Sequence, residues 1–196
     1  LNNETDGVIN INDSTTFENS KSLTNNNVIN INGTLSNSTS GNIINNKTIT
    51  NNGNIVNKNT ITNSSIGIIN NNNDFYNYEE LTNDGIININ DTTDGGAIFN
   101  YKTFNNQNDA TINNYDSIVN METGASNLHS VTTASLTGTL TNIGTITNHS
   151  GTLENKGTLT NDTAGKLIIE GGELKNKGTA TNKNTGNLTI KTNGTL

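Results

Sequence analysis

The sequence predicts an all-β fold, a single-stranded parallel β-helix (β-solenoid) that runs through residues 1–196 as one continuous domain. Three observations favour this fold class: a five-residue unit that alternates apolar and polar side chains, a longer period of 21 residues, and a hydrophobic content of only 29%. Repeats of this kind bury their apolar residues only against neighbouring repeats. We therefore expect a rod with a thin core.

The composition indicates an ordered chain despite its low hydrophobicity. Charged residues make up only 14% of the sequence, aromatic residues 4%, and proline is absent. The apolar residues are mostly Ile, Leu and Val at regular spacing, which is typical of strands rather than of disordered segments. Asparagine and threonine are the two most frequent residues. Their regular placement favours a folded repeat over an aggregation-prone tract.

The repeat unit is clearest in the C-terminal half. Its central apolar residue alternates with two polar residues, so the apolar side chain faces a core and the polar ones face solvent. The flanking Gly and Asn are expected to turn the chain through positive φ angles. The units are GTLTN at 138–142, GTITN at 144–148, GTLEN at 151–155, GTLTN at 157–161, GELKN at 172–176 and GTATN at 178–182.

The longer period defines a coil. Gly151 recurs at Gly172 and Gly157 at Gly178, each after 21 residues. Two short units are followed by a longer one, at 164–171 and again at 185–193, which predicts three strands per coil and a three-sided cross-section. Roughly nine coils with a strand spacing of about 4.8 Å give a rod on the order of 45 Å long.

The N-terminal half follows the same pattern with more drift. The segment near 121–133 fits worst, because Asn127 is its only candidate corner asparagine, and we expect an irregular segment there. Apolar residues continue at strand spacing through this half: Phe17, Leu23, Val28, Ile49, Ile55, Ile61, Phe75, Leu81, Ile86, Phe99, Phe104 and Ile112.

Stacked coils align equivalent side chains into columns. An asparagine amide can donate to the carbonyl oxygen of the asparagine one coil away, which forms a ladder that favours strict register. The predicted ladders are Asn142, Asn161 and Asn182, and separately Asn155 and Asn176. The predicted core stripe contains Leu140, Leu159, Leu153, Leu174, Leu167 and Leu188.

Charge and composition exclude several function classes. The net charge is −7 and the ten Lys and Arg residues are scattered, so no basic stripe could neutralise nucleic-acid phosphates. The absence of cysteine removes disulfides and thiolate metal sites. No run of 18 apolar residues is present, so we expect no membrane insertion.

No set of residues predicts catalysis, and we expect neither an enzyme nor a cofactor. Glu154 and Glu173 interleave with lysines, which favours cross-coil ion pairs over an acid/base pair. His129 and His149 lack the partners of a zinc site. The corner from Asp91 to Gly96 is predicted to be a plain loop, with a calcium site as the alternative, because its spacing matches no known calcium loop. A polysaccharide-binding or polysaccharide-cleaving β-helix is a weaker alternative.

The GTLxN and GTITN units, followed by a GxLxI strand, resemble the repeats of filamentous haemagglutinin-like secreted exoproteins and related Asn-rich surface adhesins. The resemblance covers residues 138–196, and it is one of pattern over residues 1–120. It implies a right-handed parallel β-helix and an exported rod at the cell surface, used for attachment or as a fibre shaft. A host-cell or surface glycan is the partner that it implies. It carries over no functional residue.

Neither terminal segment has the pattern of a cap, which predicts head-to-tail stacking between copies of the chain into a filament. If the chain is secreted, its sequons predict a glycoprotein. The candidate glycosylation sites are Asn32, Asn37, Asn46, Asn63, Asn148, Asn161 and Asn187.

Ice binding is the main alternative function. Three Thr-x-Thr units recur about one coil apart, at Thr139 and Thr141, at Thr158 and Thr160, and at Thr179 and Thr181. They could form a regular face of hydroxyl and methyl groups. The array is expected to be interrupted in the N-terminal half, and threonine is also the ordinary outward residue of a strand.

Overall fold

The computed structural model describes residues 1–90, 95–107, 109–121, 138–183, 185–191 and 194–196. These residues form 26 short strands and no helix. The first thirteen strands are β1 (Asn2–Asn3), β2 (Val8–Ile11), β3 (Thr16–Asn19), β4 (Ser22–Asn25), β5 (Val28–Ile31), β6 (Thr34–Asn37), β7 (Asn42–Asn45), β8 (Thr48–Asn51), β9 (Asn54–Asn57), β10 (Thr60–Asn63), β11 (Ile68–Asn71), β12 (Phe75–Asn77) and β13 (Glu80–Asn83). The others are β14 (Ile86–Ile89), β15 (Ala97–Asn100), β16 (Thr103–Asn106), β17 (Thr111–Asn114), β18 (Ser117–Asn120), β19 (Thr139–Asn142), β20 (Thr145–Asn148), β21 (Thr152–Asn155), β22 (Thr158–Asn161), β23 (Lys166–Ile169), β24 (Glu173–Asn176), β25 (Thr179–Asn182) and β26 (Asn187–Ile190).

The strands form three parallel sheets, one on each side of the coil. Sheet 1 has the order β1-β4-β7-β10-β13-β16-β19-β22-β25, and sheet 2 has the order β2-β5-β8-β11-β14-β17-β20-β23-β26. Sheet 3 contains β3-β6-β9-β12-β15-β18-β21-β24. Because each strand pairs with the strand three places along the chain, three strands make one coil. The predicted parallel β-solenoid with three strands per coil is confirmed.

The coil length varies around 20 residues while the register is kept. Equivalent corner asparagines lie 18 residues apart from Asn45 to Asn63, 20 from Asn37 to Asn57 and 21 from Asn155 to Asn176. The step from Asn106 to Asn142 is 36 residues and contains residues 122–137, so the predicted irregular segment near 121–133 lies almost wholly outside the described residues. Insertions are therefore accommodated at corners, and the strands keep their alignment.

The thin core follows from the alternation inside each strand. In β19 the two threonines are half-buried and face outward, while Leu140 and Asn142 are fully buried. Most other strands repeat this pattern of two outward and two inward residues. One continuous apolar cluster of Ile, Leu and Phe, from Ile11 to Leu174, fills the centre of the rod.

The corner glycines serve close stacking of coils rather than unusual backbone angles. A Cβ atom on Gly53 would lie 2.1 Å from the carbonyl oxygen of Gly33, and one on Gly178 would lie 2.1 Å from that of Gly157. Among the described residues, positive φ angles occur only at Ser14, Gly95 and Asp109. The expectation that corner Gly and Asn supply positive φ is therefore wrong for the described corners apart from Gly95. The glycines are required by the close approach of the neighbouring coil, and the asparagines by the hydrogen bonds to it.

One member of the predicted core stripe is not buried. Leu188 pairs in register with Leu167 yet is 42% exposed, because no described coil covers it. Its assignment to the core is therefore corrected, and Ile190 on the same strand is 41% exposed for the same reason. The other five predicted members are buried: Leu140, Leu153, Leu159, Leu167 and Leu174.

No helix that is long and apolar enough to cross a membrane occurs in the described part of the chain.

Candidate functional site

Asparagine ladders connect the coils along two complete sheets. In each rung the Nδ2 of one asparagine donates to the Oδ1 of the asparagine in the next coil, at 2.7 to 2.9 Å. The ladder of sheet 1 runs through Asn3, Asn25, Asn45, Asn63, Asn83, Asn106, Asn142, Asn161 and Asn182. The ladder of sheet 3 runs through Asn19, Asn37, Asn57, Asn77, Asn100, Asn120, Asn155 and Asn176.

The structure thus places Asn142, Asn161 and Asn182 in one ladder and Asn155 and Asn176 in the other, as the spacing predicts. The N-terminal continuation of both ladders was not assigned from the sequence. The sequence does contain the signal for these ladder positions, because nearly every repeat unit has an Asn three residues after the start of its strand. Drift in coil length from 18 to 23 residues obscures it when a constant period is assumed.

Each ladder amide also holds the corner that follows it. Asn142 Nδ2 lies 3.0 Å from the carbonyl oxygen of Lys166, one coil ahead, and Asn161 Nδ2 lies 3.1 Å from that of Gly165 in its own corner. The amide is an additional donor to these carbonyl oxygens, because that of Gly165 also accepts from the backbone N–H of Asn187. One side chain therefore fixes both the stacking of coils and the path of the turn.

The ladder of sheet 2 is interrupted. Asn51 donates to Asn71, and Asn114 donates to Asn148, at 2.8 and 2.7 Å. In other coils the equivalent position is isoleucine, as at Ile31 and Ile89, which precede Asn51 and Asn114 in register. The Oδ1 atoms of Asn51 and Asn114 are consequently buried without a donor.

Four candidate glycosylation sites are corrected by the ladders. Asn37, Asn63, Asn148 and Asn161 are at most 2% exposed, and each amide takes part in a ladder bond. A glycan on Nδ2 would have to leave the core and would break the ladder. Among the candidates, Asn32 and Asn187 are exposed and Asn46 is half-buried.

The outward face of sheet 1 carries two columns of mostly threonine side chains, which we call the threonine face. One column contains Ser22, Asn42, Thr60, Glu80, Thr103, Thr139, Thr158 and Thr179. The other contains Thr24, Ile44, Thr62, Thr82, Asn105, Thr141, Thr160 and Thr181. The array thus extends into the N-terminal half further than the sequence indicated, with Ser22, Asn42, Ile44, Glu80 and Asn105 as its interruptions.

Sheet 3 and its corner carry ion pairs, some within one coil and some between coils. Glu154 contacts Lys177 at 2.8 Å and Lys156 at 3.3 Å, and Lys175 contacts Glu173 at 2.9 Å. The hydrogen bond from Lys177 is the main cause that lowers the pKa of Glu154, against the effect of burial. The predicted cross-coil pairing therefore holds for Glu154 with Lys177, whereas Glu173 pairs with Lys175 on its own strand.

His149 belongs to a column at one corner. Its ring stacks on Tyr115 with centroids 4.4 Å apart, and its Nδ1 lies 2.7 Å from Glu170 Oε2. Lys191 also pairs with Glu170 and, ahead of His149, lowers the pKa of that carboxyl group. This column contains one histidine and one carboxylate, which is too few for a metal site.

Aromatic residues form two stacked pairs on sheet 3 and its corner, in which Tyr101 is buried and the other three rings are not fully exposed. Tyr76 stacks on Phe99 with centroids 5.2 Å apart, and Tyr78 stacks on Tyr101 at 4.7 Å. In each pair, one face of each ring lies against the other ring.

No group of three or more His, Asp or Glu side chains that could hold a metal ion occurs within the described ranges. Of the corner suggested as a calcium alternative, Asp91 and Asp94 lie outside the described residues, as does His129. Gly95 has a positive φ of 71°, and the Gly96 N–H donates to Asp116 Oδ2 at 2.6 Å.

Comparison with known proteins adds little to these observations. No family model and no curated protein matches the sequence. The crystal structure of a TibC-catalysed, hyper-glycosylated TibA fragment aligns with 98% of this chain and 92% of its own, at 12% identity and a TM-score of 0.23. The resemblance to filamentous haemagglutinin-like repeats therefore stays a resemblance of repeat pattern.

Proposed function

We propose that the chain is a structural shaft, a β-solenoid rod that forms part of an extracellular filament or adhesin at a cell surface. The observation that carries this proposal is the ladder of sheet 1, which links nine coils from Asn3 to Asn182 without an interruption. Almost all of the polar interior serves to join one coil to the next. Such an arrangement resists bending and separation along the rod axis.

The ladders also have a direction, which supports head-to-tail stacking. Every rung donates from the earlier coil to the later one, so the N-terminal face presents the acceptor Oδ1 of Asn3 and the C-terminal face presents the donor Nδ2 of Asn182. A further coil, from more of the same chain or from a second copy, would continue the ladder only in the same orientation. Two C-terminal faces would bring donor against donor, and two N-terminal faces would bring acceptor against acceptor.

The last described coil offers apolar surface for such a contact. Leu188 and Ile190 are 42% and 41% exposed, and they continue the buried columns of Leu167 and Ile169. Covering them would bury apolar area at about 25 cal/mol per Å². In the proposed role the partners are copies of the chain and a surface glycan, and neither catalysis nor a cofactor is required.

The test is assembly of the purified chain as a function of concentration, followed by sedimentation and electron microscopy. We expect filaments with an axial repeat of about 4.8 Å. A lysine at the end face, Leu188→Lys, should prevent assembly because a charge would be buried in the joint. The matched control is Ile66→Lys, since Ile66 is 70% exposed at a corner rather than on an end face.

Two results would contradict the proposal in different ways. Monodisperse short rods at every concentration would show that copies of this chain do not join by their ends, and would limit the role to a segment within one polypeptide. Equal assembly of wild type and Leu188→Lys, with folding of both verified by circular dichroism, would show that the joint lies elsewhere.

A further inference from the structure

The threonine face differs from the two other flanks of the rod in its regularity. Parallel pairing without slip sets Thr139, Thr158 and Thr179 directly above one another, and Thr141, Thr160 and Thr181 likewise. Neighbouring hydroxyls are therefore about 4.8 Å apart along the rod and about 6.7 Å apart along a strand. The result is a two-dimensional lattice of hydroxyl and methyl groups.

The hydroxyl groups of this lattice are available to an outside partner. Within the described ranges, the only hydrogen bond donated by a threonine hydroxyl on this face is from Thr82 to Glu80, at 3.3 Å. Threonine is branched at Cβ and has few χ1 rotamers, so the array loses little conformational entropy when it binds.

The threonine face is also nearly uncharged. Glu80 is the only charged residue among the described positions of its two columns. Sheet 3 in contrast carries Glu18, Glu154, Glu173 and Lys175 on its outward side. Sheet 2 resembles the threonine face in carrying one charged residue, Lys166, among its described outward positions, but its columns mix threonine with Val, Ile and Asn. Lysines beside the threonine face, such as Lys102, lie at the corner, where Lys102 pairs with Glu79.

We propose that the threonine face binds the surface of ice. A neutral lattice whose hydroxyls can both donate and accept is matched by ordered water, which offers donors and acceptors at regular intervals and no charge. A protein partner would be expected to meet aromatic or arginine anchors in a desolvated centre. The described positions of this face hold neither. This binding is independent of the proposed shaft, because it uses the flank and not the ends of the rod.

The proposal is tested by ice recrystallisation inhibition and by adsorption of the fluorescently labelled chain to a growing ice crystal. Wild type should bind ice and slow recrystallisation. Thr158→Lys places a charged, flexible side chain in the middle of the lattice and should abolish most of both activities. The control is Thr145→Lys, at the equivalent position of a similar strand on sheet 2. It should retain them.

Circular dichroism should show that both variants keep the strand content of wild type. Wild type without ice adsorption would overturn the proposal, and so would an equal loss in Thr158→Lys and Thr145→Lys. Adsorption to crystalline chitin or cellulose in place of ice would assign the face to a solid polysaccharide. Side-by-side dimers in sedimentation that Thr158→Lys dissociates would assign it to a second copy. Either result would also overturn ice binding.

Discussion

At the scale of single residues, asparagine carries the specificity of this fold. Asn57 accepts from Asn37 and donates to Asn77, each at 2.8 Å, and its Nδ2 also lies within 3.0 Å of the carbonyl oxygens of Asn59 and Glu80. No apolar side chain of similar size can make these bonds. The buried asparagines therefore favour one alignment of the coils, whereas the Ile and Leu core tolerates several.

Replacing Asn57 by leucine should destabilise the rod strongly. The change leaves the Nδ2 of Asn37 and the Oδ1 of Asn77 buried with one partner fewer, and each lost partner costs about 1 to 3 kcal/mol. We expect the free energy of unfolding to fall by roughly 2 to 6 kcal/mol in urea denaturation.

The matched control for Asn57→Leu is Asn105→Leu. Asn105 lies on the outward side of β16 and is half-buried, so its replacement should change the free energy of unfolding by less than about 0.5 kcal/mol. Equal effects of the two changes would mean that the ladder bonds contribute no net stability.

At the scale of the strand, in-register pairing aligns equivalent residues into columns although the coil length varies. The last residue of each strand in sheets 1 and 3 points inward and is asparagine throughout. Outward interruptions such as Ile44 do not affect it. In sheet 2 the same inward position is asparagine in some coils and isoleucine in others. Where an isoleucine precedes an asparagine, the ladder lacks a donor. The unpaired Oδ1 atoms of Asn51 and Asn114 are the structural consequence.

This defect predicts an unusual tolerance at Ile31. In Ile31→Asn the new amide can donate to Asn51 Oδ1, with which position 31 is in register. In the control Ile29→Asn, on the same strand, an equally buried isoleucine becomes an asparagine between Ile9 and Ile49, where no ladder partner exists. We expect Ile31→Asn to cost about 1 to 3 kcal/mol less than Ile29→Asn.

Urea denaturation of the two variants side by side gives the comparison. A greater loss of stability for Ile31→Asn than for Ile29→Asn would show that extending the sheet 2 ladder does not stabilise the fold.

At the scale of the whole molecule, ion pairs that follow the rod axis engage some of the carboxylates, and the chain keeps a net charge of −7. The hydrogen bond from Lys183, and then those from Thr163, lower the pKa of Asp162 from 3.8 to about 2. Burial raises the pKa values of Tyr78 and Tyr101 above 10.0. Low pH therefore affects stability at Asp162, and high pH affects it at Tyr78 and Tyr101, which lie in a different part of the rod.

The stability of the rod should fall on acidification between pH 3.8 and about 2. A carboxyl group whose folded pKa lies below its unfolded value stabilises the fold above the unfolded pKa, and this contribution is lost as the pH falls through the folded pKa. In thermal melts, Asp162→Asn should reduce the pH dependence in this window.

The control for Asp162→Asn is Asp84→Asn, because the Asp84 carboxylate makes no ion pair within the described ranges. If the melting temperature of Asp162→Asn depended on pH as that of wild type does, the ion pair between Lys183 and Asp162 would not be a source of stability. The tyrosines act in the opposite sense. Their contribution is present below pH 10.0 and is lost as the pH rises through their raised pKa values.

The sequence by itself determined the three-stranded parallel coil, the outward threonines, and the ladder positions from Asn142 to Asn182, because period-2 alternation and a coil of near-constant length can be read locally. Right-handedness and the cell-surface location stay predictions. Tertiary structure alone decided that Asn37, Asn63 and Asn148 are buried ladder rungs, and that the amide of Asn161, a rung predicted from the sequence, is too buried for the glycan that its sequon suggested. It also decided that the threonine columns reach into the N-terminal half. The physical reason is that coil lengths vary at the corners, so only the hydrogen-bonded register shows which distant residues stack.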